Sequence, residues 1–314
     1  MGGSTRLLLN LARYLGDFHD VSLCLAATAN REATAALVRH FGDITLVPHS
    51  EAALNDARYD LVLMHLPFSL QPLDLIKIPR KMAVLMELVA RHPIPILDEH
   101  AGRFERIVYL HPEQVQHFSA GVRADRCDLL PVINNIDFEP AYVRTHFLGA
   151  VGGAHKTGLE SALRFLRALQ QAYGLRIWSG RPLTLEGLPA PAVREAIAAL
   201  GAGRLAALPV EADMRVLMRS YDALLHLPRH GNGTSVVVSD ALYCGKQVIL
   251  TPLPDYRQAY GDMEGVLFAD APLAQLIERV QNWSAADFRR ISQAYRAGYD
   301  RDDALRQWRR AVED

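Results

Sequence analysis

One polar loop and the helix that follows it contain the residues best suited to bind a ligand. Gly231 and Gly233 have no Cβ atom, so the backbone can approach a ligand closely at both positions. Thr234 and Ser235 can cap the helix, whose free first-turn N–H groups form a site for an anion. Asp240 lies roughly 8–10 Å further along, at ~1.5 Å per residue. An anion and a polyhydroxyl group at that separation describe a nucleoside diphosphate with its ribose.

The apolar pattern predicts the elements that position this loop. An apolar strand, Ala223–Leu227, ends at the loop. The helix runs from Ser235 to Tyr243 and stops at Gly245, and a second apolar strand, Gln247–Leu250, follows it. The alternative interpretation is an ordinary strand–loop–helix unit of an α/β protein that binds nothing.

Length and composition predict two α/β domains of ~150 residues each in a chain of 314 residues. Half of the residues are apolar and 22% are charged, which is an ordinary globular balance. A net charge of −1 argues against a general nucleic-acid-binding protein. The three cysteines lack metal-ligand spacing, no apolar run reaches the ~18–20 residues of a membrane span, and no signal peptide is evident. We therefore expect a cytoplasmic protein with reduced thiols.

Short apolar runs alternate with helical patterns, which is typical of parallel sheets with crossover helices. The pattern breaks at Asn134-Asn135 and Pro140, then restarts with a predicted strand at Thr145–Leu148. We place a first Rossmann-like domain at 1–137, a second at 138–283, and C-terminal helices at 284–314.

The spacing of Asn232 and Asp240 adds a resemblance to a known family. Seven residues separate them, and Asp-Ala-Leu-Tyr-Cys-Gly runs from Asp240 to Gly245. This stretch resembles the donor-binding segment of the group 1 glycosyltransferases, in which two glutamates have this spacing and Ala-Met/Leu-Ala-x-Gly follows the second. Segments 132–140, 147–158 and 2–6 are similar to that family's domain junction, its Gly-Arg…Lys-Gly loop and its first glycine loop. The resemblance is strong after residue 130 and weak before it.

The resemblance implies a GT-B-like α/β fold, with two doubly wound Rossmann-like domains facing each other across a cleft. The chain starts inside the glycine loop, so we expect the first domain to lack its first strand, and the last helix to cross back toward that domain. The implied activity is a metal-independent, retaining hexosyltransferase without a cofactor. It would transfer sugar from a nucleotide-diphosphate sugar to a glycan or lipid-linked acceptor, in bacterial surface polysaccharide or glycoconjugate synthesis. Peripheral contact with the inner face of the membrane is an alternative to a purely cytoplasmic location.

The same resemblance assigns roles to individual residues. Lys156 would stabilise the charge that develops on the diphosphate leaving group, and Asn232 would bind a sugar hydroxyl. Glu87 would contact the sugar or act as a base, and His65 would contact the donor sugar or the acceptor. The implied donor-binding residues are Gly2, Gly3, Gly149, Lys156, Arg229, Gly231, Gly233, Thr234, Ser235 and Asp240. Each of these four residues also has a purely structural alternative. Lys156 would be a surface lysine and Asn232 a turn residue. Glu87 would be a carboxylate at a helix start, and His65 a capped structural histidine. No metal site is expected.

Departures from the family pattern keep other functions open. Ala150 stands where the family has an arginine, Asn232 where it has a glutamate, and Glu87 roughly where it often has a histidine. One alternative is therefore a non-catalytic GT-B protein that binds a ligand or a partner, and another is a GT-B sugar-nucleotide epimerase. A nicotinamide dehydrogenase is disfavoured, because no Gly-x-Gly-x-x-Gly turn follows a first strand.

Overall fold

The computed structural model describes residues 3–24, 44–47, 50, 52, 55–56, 58–66, 76–85, 98–151, 165, 173–178, 205–208, 213–228 and 234–314. Within these residues the chain forms parallel β-sheets flanked by helices. The predicted α/β class is therefore confirmed.

The first half begins with a long helix and contains two groups of parallel strands. Its helices are α1 (Gly3–Gly16), α2 (Asp98–Ala101) and α3 (Ala120–Arg126). Its strands are β1 (Ser22–Cys24), β2 (Thr45–Val47), β3 (Leu61–Leu66), β4 (Arg80–Leu85), β5 (Arg106–Tyr109) and β6 (Cys127–Leu129). Among the described residues, β1 pairs with β2, while β3, β4, β5 and β6 form a separate four-stranded sheet.

Helix α1 covers both groups of strands. Leu7, Leu11 and Leu15 recur at helical spacing and pack in a buried cluster with Met82 and other residues of the four-stranded sheet. Leu9 and Ala12, on another side of α1, pack with Ile44 and the start of β1. The helix is therefore held on two sides, and its N-terminus has a fixed direction.

The second half is one six-stranded parallel sheet with helices on its faces. Its strands are β7 (Phe147–Val151), β8 (Gly174–Trp178), β9 (Leu205–Leu208), β10 (Ala223–His226), β11 (Gln247–Leu250) and β12 (Val266–Phe268). The spatial order is β12-β11-β10-β7-β8-β9. Its described helices are α4 (Met214–Arg219), α5 (Val236–Tyr243), α6 (Pro254–Tyr260) and α7 (Leu273–Gln281). The strand order reverses between β7 and β10, so a topological switch point lies there.

Strand β7 begins two residues later than the sequence predicted. The N–H groups of Thr145 and His146 donate to the buried carboxylate of Asp222, at 2.7 and 2.9 Å, rather than to a neighbouring strand. His146 also has a φ of 58°, which is outside the extended region. Asp222 directly precedes β10, so this carboxylate ties the starts of the two central strands together.

The last two helices, α8 (Ala285–Ala297) and α9 (Arg301–Glu313), connect the two halves. Ser292 of α8 donates its hydroxyl to the Tyr243 carbonyl at the end of α5, at 2.7 Å. Leu305 and Trp308 of α9 are buried in the cluster that contains Leu7 and Leu11. Trp308 also donates its indole N–H to the Pro131 carbonyl, at 2.9 Å. Helix α9 is thus part of the apolar core of the first half.

Gly149, in the centre of β7, has a packing role. A Cβ atom at this position would lie 2.5 Å from the ring of Tyr221, which is fully buried. Such a distance is far below van der Waals contact, so only glycine fits beside this ring. The predicted contact of Gly149 with a donor remains a prediction.

The Gly149→Ala variant should be destabilised by about 1–3 kcal/mol, because the added methyl group overpacks a closed core. Chemical denaturation of the purified chain measures this difference. Gly121→Ala in α3 is the matched control, since nothing lies within 4 Å of its added Cβ. We expect it to be neutral or slightly stabilising, because alanine favours helix over glycine. Equal stability of both variants would contradict the packing role.

Candidate functional site

The strands that lead into two predicted ligand-binding segments are neighbours at the switch point. The chain leaves β7 at Val151 and β10 at His226, and these strands are hydrogen-bonded neighbours. Ligands of doubly wound sheets bind at the carboxyl ends of the strands at this point. The segments that directly follow contain predicted site residues outside the described residues: Lys156, Arg229, Gly231, Asn232 and Gly233. Gly2 and Glu87 also lie outside them, so their roles remain predictions.

The start of α5 is described, and it forms the helix N-terminus that the sequence predicted. Ser235 is the N-cap with extended backbone, but its side chain makes no capping hydrogen bond. Its N–H donates to the hydroxyl of Tyr260, at 2.6 Å. The Thr234 hydroxyl is buried without a hydrogen-bond partner among the described residues. A buried hydroxyl without a partner is costly, and a ligand oxygen at the helix start would satisfy it.

Buried side chains fix the carboxyl end of β10. The Nε2 atom of His226 and the hydroxyl of Tyr256 form a hydrogen bond of 2.9 Å, and both residues are buried. Thr251, which follows β11, donates its hydroxyl to the Pro228 carbonyl, at 2.9 Å. The chain segments that lead into and out of the candidate site are therefore fixed by buried contacts.

The first half meets α5 along α1. The two helices are in contact, and Val236 in the first turn of α5 packs in the same cluster as Leu7 and Leu11 of α1. Gly3 was predicted to lie in a donor-binding glycine loop. It is the first residue of α1, the helix that contacts α5. His65 lies in β3 near its carboxyl end, and its side chain is outside the described residues.

His111 is a candidate that sequence analysis did not select. It follows β5 at the carboxyl edge of the first sheet and is buried. Its Nδ1 accepts from the Glu113 N–H at 3.3 Å and so caps the turn that starts at Pro112. Burial lowers the pKa of His111, while the carboxylates of Glu113 and Asp255 oppose that shift. Asp255 belongs to α6, so His111 lies on the side of the first half that faces the second. The feature of the sequence that could have selected His111 is its position directly after an apolar strand.

Asp240 was expected to bind a ribose, but the structure shows it in contact with another part of the chain. The side chain is almost fully buried, and both of its oxygens already accept hydrogen bonds. The Asn135 backbone N–H donates at 2.6 Å and the Asn135 side-chain amide at 2.8 Å. Asn135 in turn accepts from the Asn10 amide of α1. A ribose contact by Asp240 remains a prediction, and the side chain is buried where the contact would form.

Burial controls the protonation of this carboxyl group. Loss of solvent raises the pKa of Asp240 to about 7, although the two hydrogen bonds from Asn135 and the charges of Arg6 and Arg301 act in the opposite direction. The carboxyl group therefore changes its charge near neutral pH while it lies at the junction of the two halves.

In the described part of the chain, the His, Cys, Asp and Glu side chains form no group suited to hold a metal ion. None of its helices combines the length and the apolarity that a membrane crossing requires.

The chain is similar to known proteins in its structure but not in its sequence. No family model matches the chain, and no curated protein matches its sequence. HepE of Anabaena, solved in complex with UDP-glucose, is similar at a TM-score of 0.74, with 14% identity over 100% of this chain and 96% of that one. AviGT4, a glycosyltransferase involved in avilamycin A biosynthesis, is similar at 0.62, with 15% identity over 100% and 90%. A putative UDP-N-acetylglucosamine 2-epimerase from Listeria monocytogenes is similar at 0.62, with 11% identity over 98% and 91%.

These similarities concern the fold. They extend over nearly the whole of both chains, so the arrangement of the two α/β halves is shared, in agreement with the GT-B-like fold expected from the sequence. At these identities the similarity does not transfer a substrate or a reaction.

The protonation of Asp240 predicts a pH dependence of stability. Between about pH 4 and 7 the folded chain keeps a proton on Asp240 that the unfolded chain has lost, so this group destabilises the fold as the pH rises. The free energy of unfolding of the native chain, minus that of Asp240→Asn, should fall across this range and level off above it. Urea denaturation of both proteins at several pH values measures the difference. A difference independent of pH would refute the assignment.

Proposed function

We propose that the chain is a glycosyltransferase that transfers a sugar from a nucleotide-diphosphate sugar to a glycan or glycolipid acceptor. The observation that supports this most is the buried Thr234 hydroxyl at the start of α5, which has no hydrogen-bond partner among the described residues and follows β10 at the switch point. Lys156 and Arg229 follow β7 and β10 in the sequence.

The chemistry requires the bond between sugar and diphosphate to loosen while negative charge grows on the diphosphate. Preorganised donors that face this charge are the largest contribution an enzyme can make to such a step. The N–H groups of Val236 and Val237, in the first turn of α5, and the Thr234 hydroxyl are neutral donors at the described edge. Lys156 follows β7 in the chain and is the proposed cation. Asn232 would bind a sugar hydroxyl, and Arg229 would substitute for the cation that Ala150 does not supply.

UDP is the first nucleotide to test. HepE was solved with UDP-glucose, with UDP and glucose, and with UDP, and it shares the fold over nearly its full length. Retention of configuration, hexosyl transfer without a metal ion, and a place in surface polysaccharide or glycoconjugate synthesis are further parts of the proposal. The acceptor would bind on the side of the first half, where β3, β4 and β5 end. Contact with the inner face of a membrane would follow if that acceptor is lipid-linked.

A second candidate is an epimerase that acts on a sugar nucleotide, since one similar structure carries that description. A third is a binding protein with the same fold and no catalysis, which the substitutions at Ala150 and Asn232 favour. An epimerase converts the donor without an acceptor, whereas a transferase requires one for efficient turnover. A binding protein would bind the nucleotide and leave it unchanged.

Isothermal titration calorimetry with UDP, GDP and ADP, followed by product analysis with the matching sugar nucleotides, tests the three. We expect saturable binding of one nucleoside diphosphate and release of that nucleotide only when a glycan or lipid-linked acceptor is present. Epimerised sugar nucleotide would favour the second candidate, and binding without any product the third. A folded chain that binds no nucleotide would overturn all three.

Two isosteric threonine variants separate ligand binding from stability. Thr234→Val should weaken binding of the nucleotide about five- to tenfold, the effect of one neutral hydrogen bond, and leave the stability of the free chain equal or higher. Thr145→Val removes a hydroxyl that donates to Asp222 at 2.9 Å, at the opposite edge of the sheet. It should cost about 1 kcal/mol of stability and leave binding unchanged. Calorimetry and chemical denaturation of both variants measure these effects, and unchanged binding by Thr234→Val would remove Thr234 from the site.

A further inference from the structure

His111 lies on the part of the first half that meets α5. It follows β5 at the carboxyl edge of the four-stranded sheet. Leu110, the residue before it, is buried in the same apolar cluster as Val236 in the first turn of α5. Ligands of doubly wound sheets bind outside the carboxyl ends of the strands. His111 is therefore near both the ligand-binding edge of its own sheet and the helix start of the other half.

A carboxylate of the second half connects His111 with the same helix start. Asp255 is buried in the first turn of α6, which follows the carboxyl end of β11. Burial lowers the pKa of His111 and raises the pKa of Tyr260 to about 12, and the charge of Asp255 raises both. The Tyr260 hydroxyl accepts the N–H of Ser235, the N-cap of α5. One carboxylate is thus within electrostatic range of His111 and of a side chain that contacts the start of α5.

The turn that starts at Pro112 holds the ring of His111 in one orientation. The Nδ1 atom of His111 accepts the Glu113 N–H at 3.3 Å. The His111 backbone N–H donates to the buried side chain of Gln114 at 3.1 Å. A ring nitrogen that accepts an N–H bears no proton, so the neutral ring carries its proton on Nε2. The ring therefore presents one N–H donor, directed away from the N–H of Glu113.

The Nε2 atom of His111 is open to a ligand. It makes no hydrogen bond within the described part of the chain, and it is not one of the fully enclosed polar atoms there that lack a partner. Part of the 4% of the His111 side chain that stays exposed is therefore at Nε2. A donor that is fixed in direction, largely shielded from water and still accessible can form a strong hydrogen bond with a ligand.

We propose that the Nε2–H of His111 donates a hydrogen bond to an oxygen of the nucleotide sugar in the donor site. The acceptor is an oxygen of the diphosphate or of the transferred sugar. With a diphosphate oxygen, the bond would strengthen as negative charge develops on the leaving group. This inference rests on the proposed function and adds to it a donor contact from the first half.

Two substitutions separate the ligand contact from the capping role. His111→Asn keeps an acceptor at the position of Nδ1, and asparagine is a favourable N-cap residue, but it has no atom at the position of Nε2. His111→Gln places an amide N–H near the position of Nε2 and gives up the cap. A ligand contact predicts an affinity about fivefold weaker in His111→Asn than in the native chain, with His111→Gln between the two. Urea denaturation should give the opposite order, with His111→Asn the more stable variant. A purely structural role predicts the same order in both measurements.

Isothermal titration calorimetry of the three proteins and nitrogen-15 magnetic resonance of their imidazole groups measure these effects. The probes are UDP, GDP and ADP, each alone and as its glucose conjugate. The His111→Asn variant assigns the His111 resonances. His19, which pairs with Glu313 at 3.4 Å beyond the C-terminal end of α1, is the internal control.

We expect a protonated Nε2 on His111 in the free chain, and a saturable shift of its resonance with one nucleotide while the His19 resonances stay in place. A shift produced by the nucleotide alone would identify a diphosphate oxygen, and a shift produced only by the glucose conjugate a sugar oxygen. Nucleotide binding that leaves the His111 resonance in place, or equal affinity of the native chain and His111→Asn, would overturn this inference and leave the proposed function intact. Absence of binding by all three nucleotides would overturn the proposed function and this inference with it.

Discussion

The interaction on which the rest of the structure depends is the pair of hydrogen bonds from Asn135 to Asp240. A buried carboxylate is costly unless donors replace its water, and here both donors come from one residue between the two halves. Asp240 lies in the middle of α5 and Asn135 after the last strand of the first half. The need to satisfy one carboxylate thus fixes the helix of one half against the end of the other.

This connection also defines the candidate site. The Thr234 hydroxyl, which has no hydrogen-bond partner within the described part of the chain, lies just before α5. Val236 in the first turn of α5 packs in the core of the first half. The helix N-terminus therefore has a fixed direction relative to α1 and to the carboxyl ends of both sheets. The residue that the resemblance assigned to a ribose is used in the free chain to hold the two halves together.

The charged C-terminal helices contribute to the same assembly. Several of their arginines pair with carboxylates of this chain, for example Arg296 with Glu139, Arg290 with Glu264 and Arg309 with Glu313. These exposed pairs contribute little each, whereas the burial of Trp308 and Leu305 contributes far more. Apolar burial therefore holds α9 on the first half.

The sequence by itself determined the local elements around the site. Strand β11 has the predicted bounds, β10 ends one residue early, and α5 has Ser235 as its N-cap. Apolar pattern, cap and glycine act over a few neighbouring residues, so such features can be read from the chain. Only the tertiary structure decided the partner of Asp240, which lies 105 positions away, and the position of the Tyr221 ring against Gly149. These depend on which distant side chains share a buried space, and no local pattern specifies that.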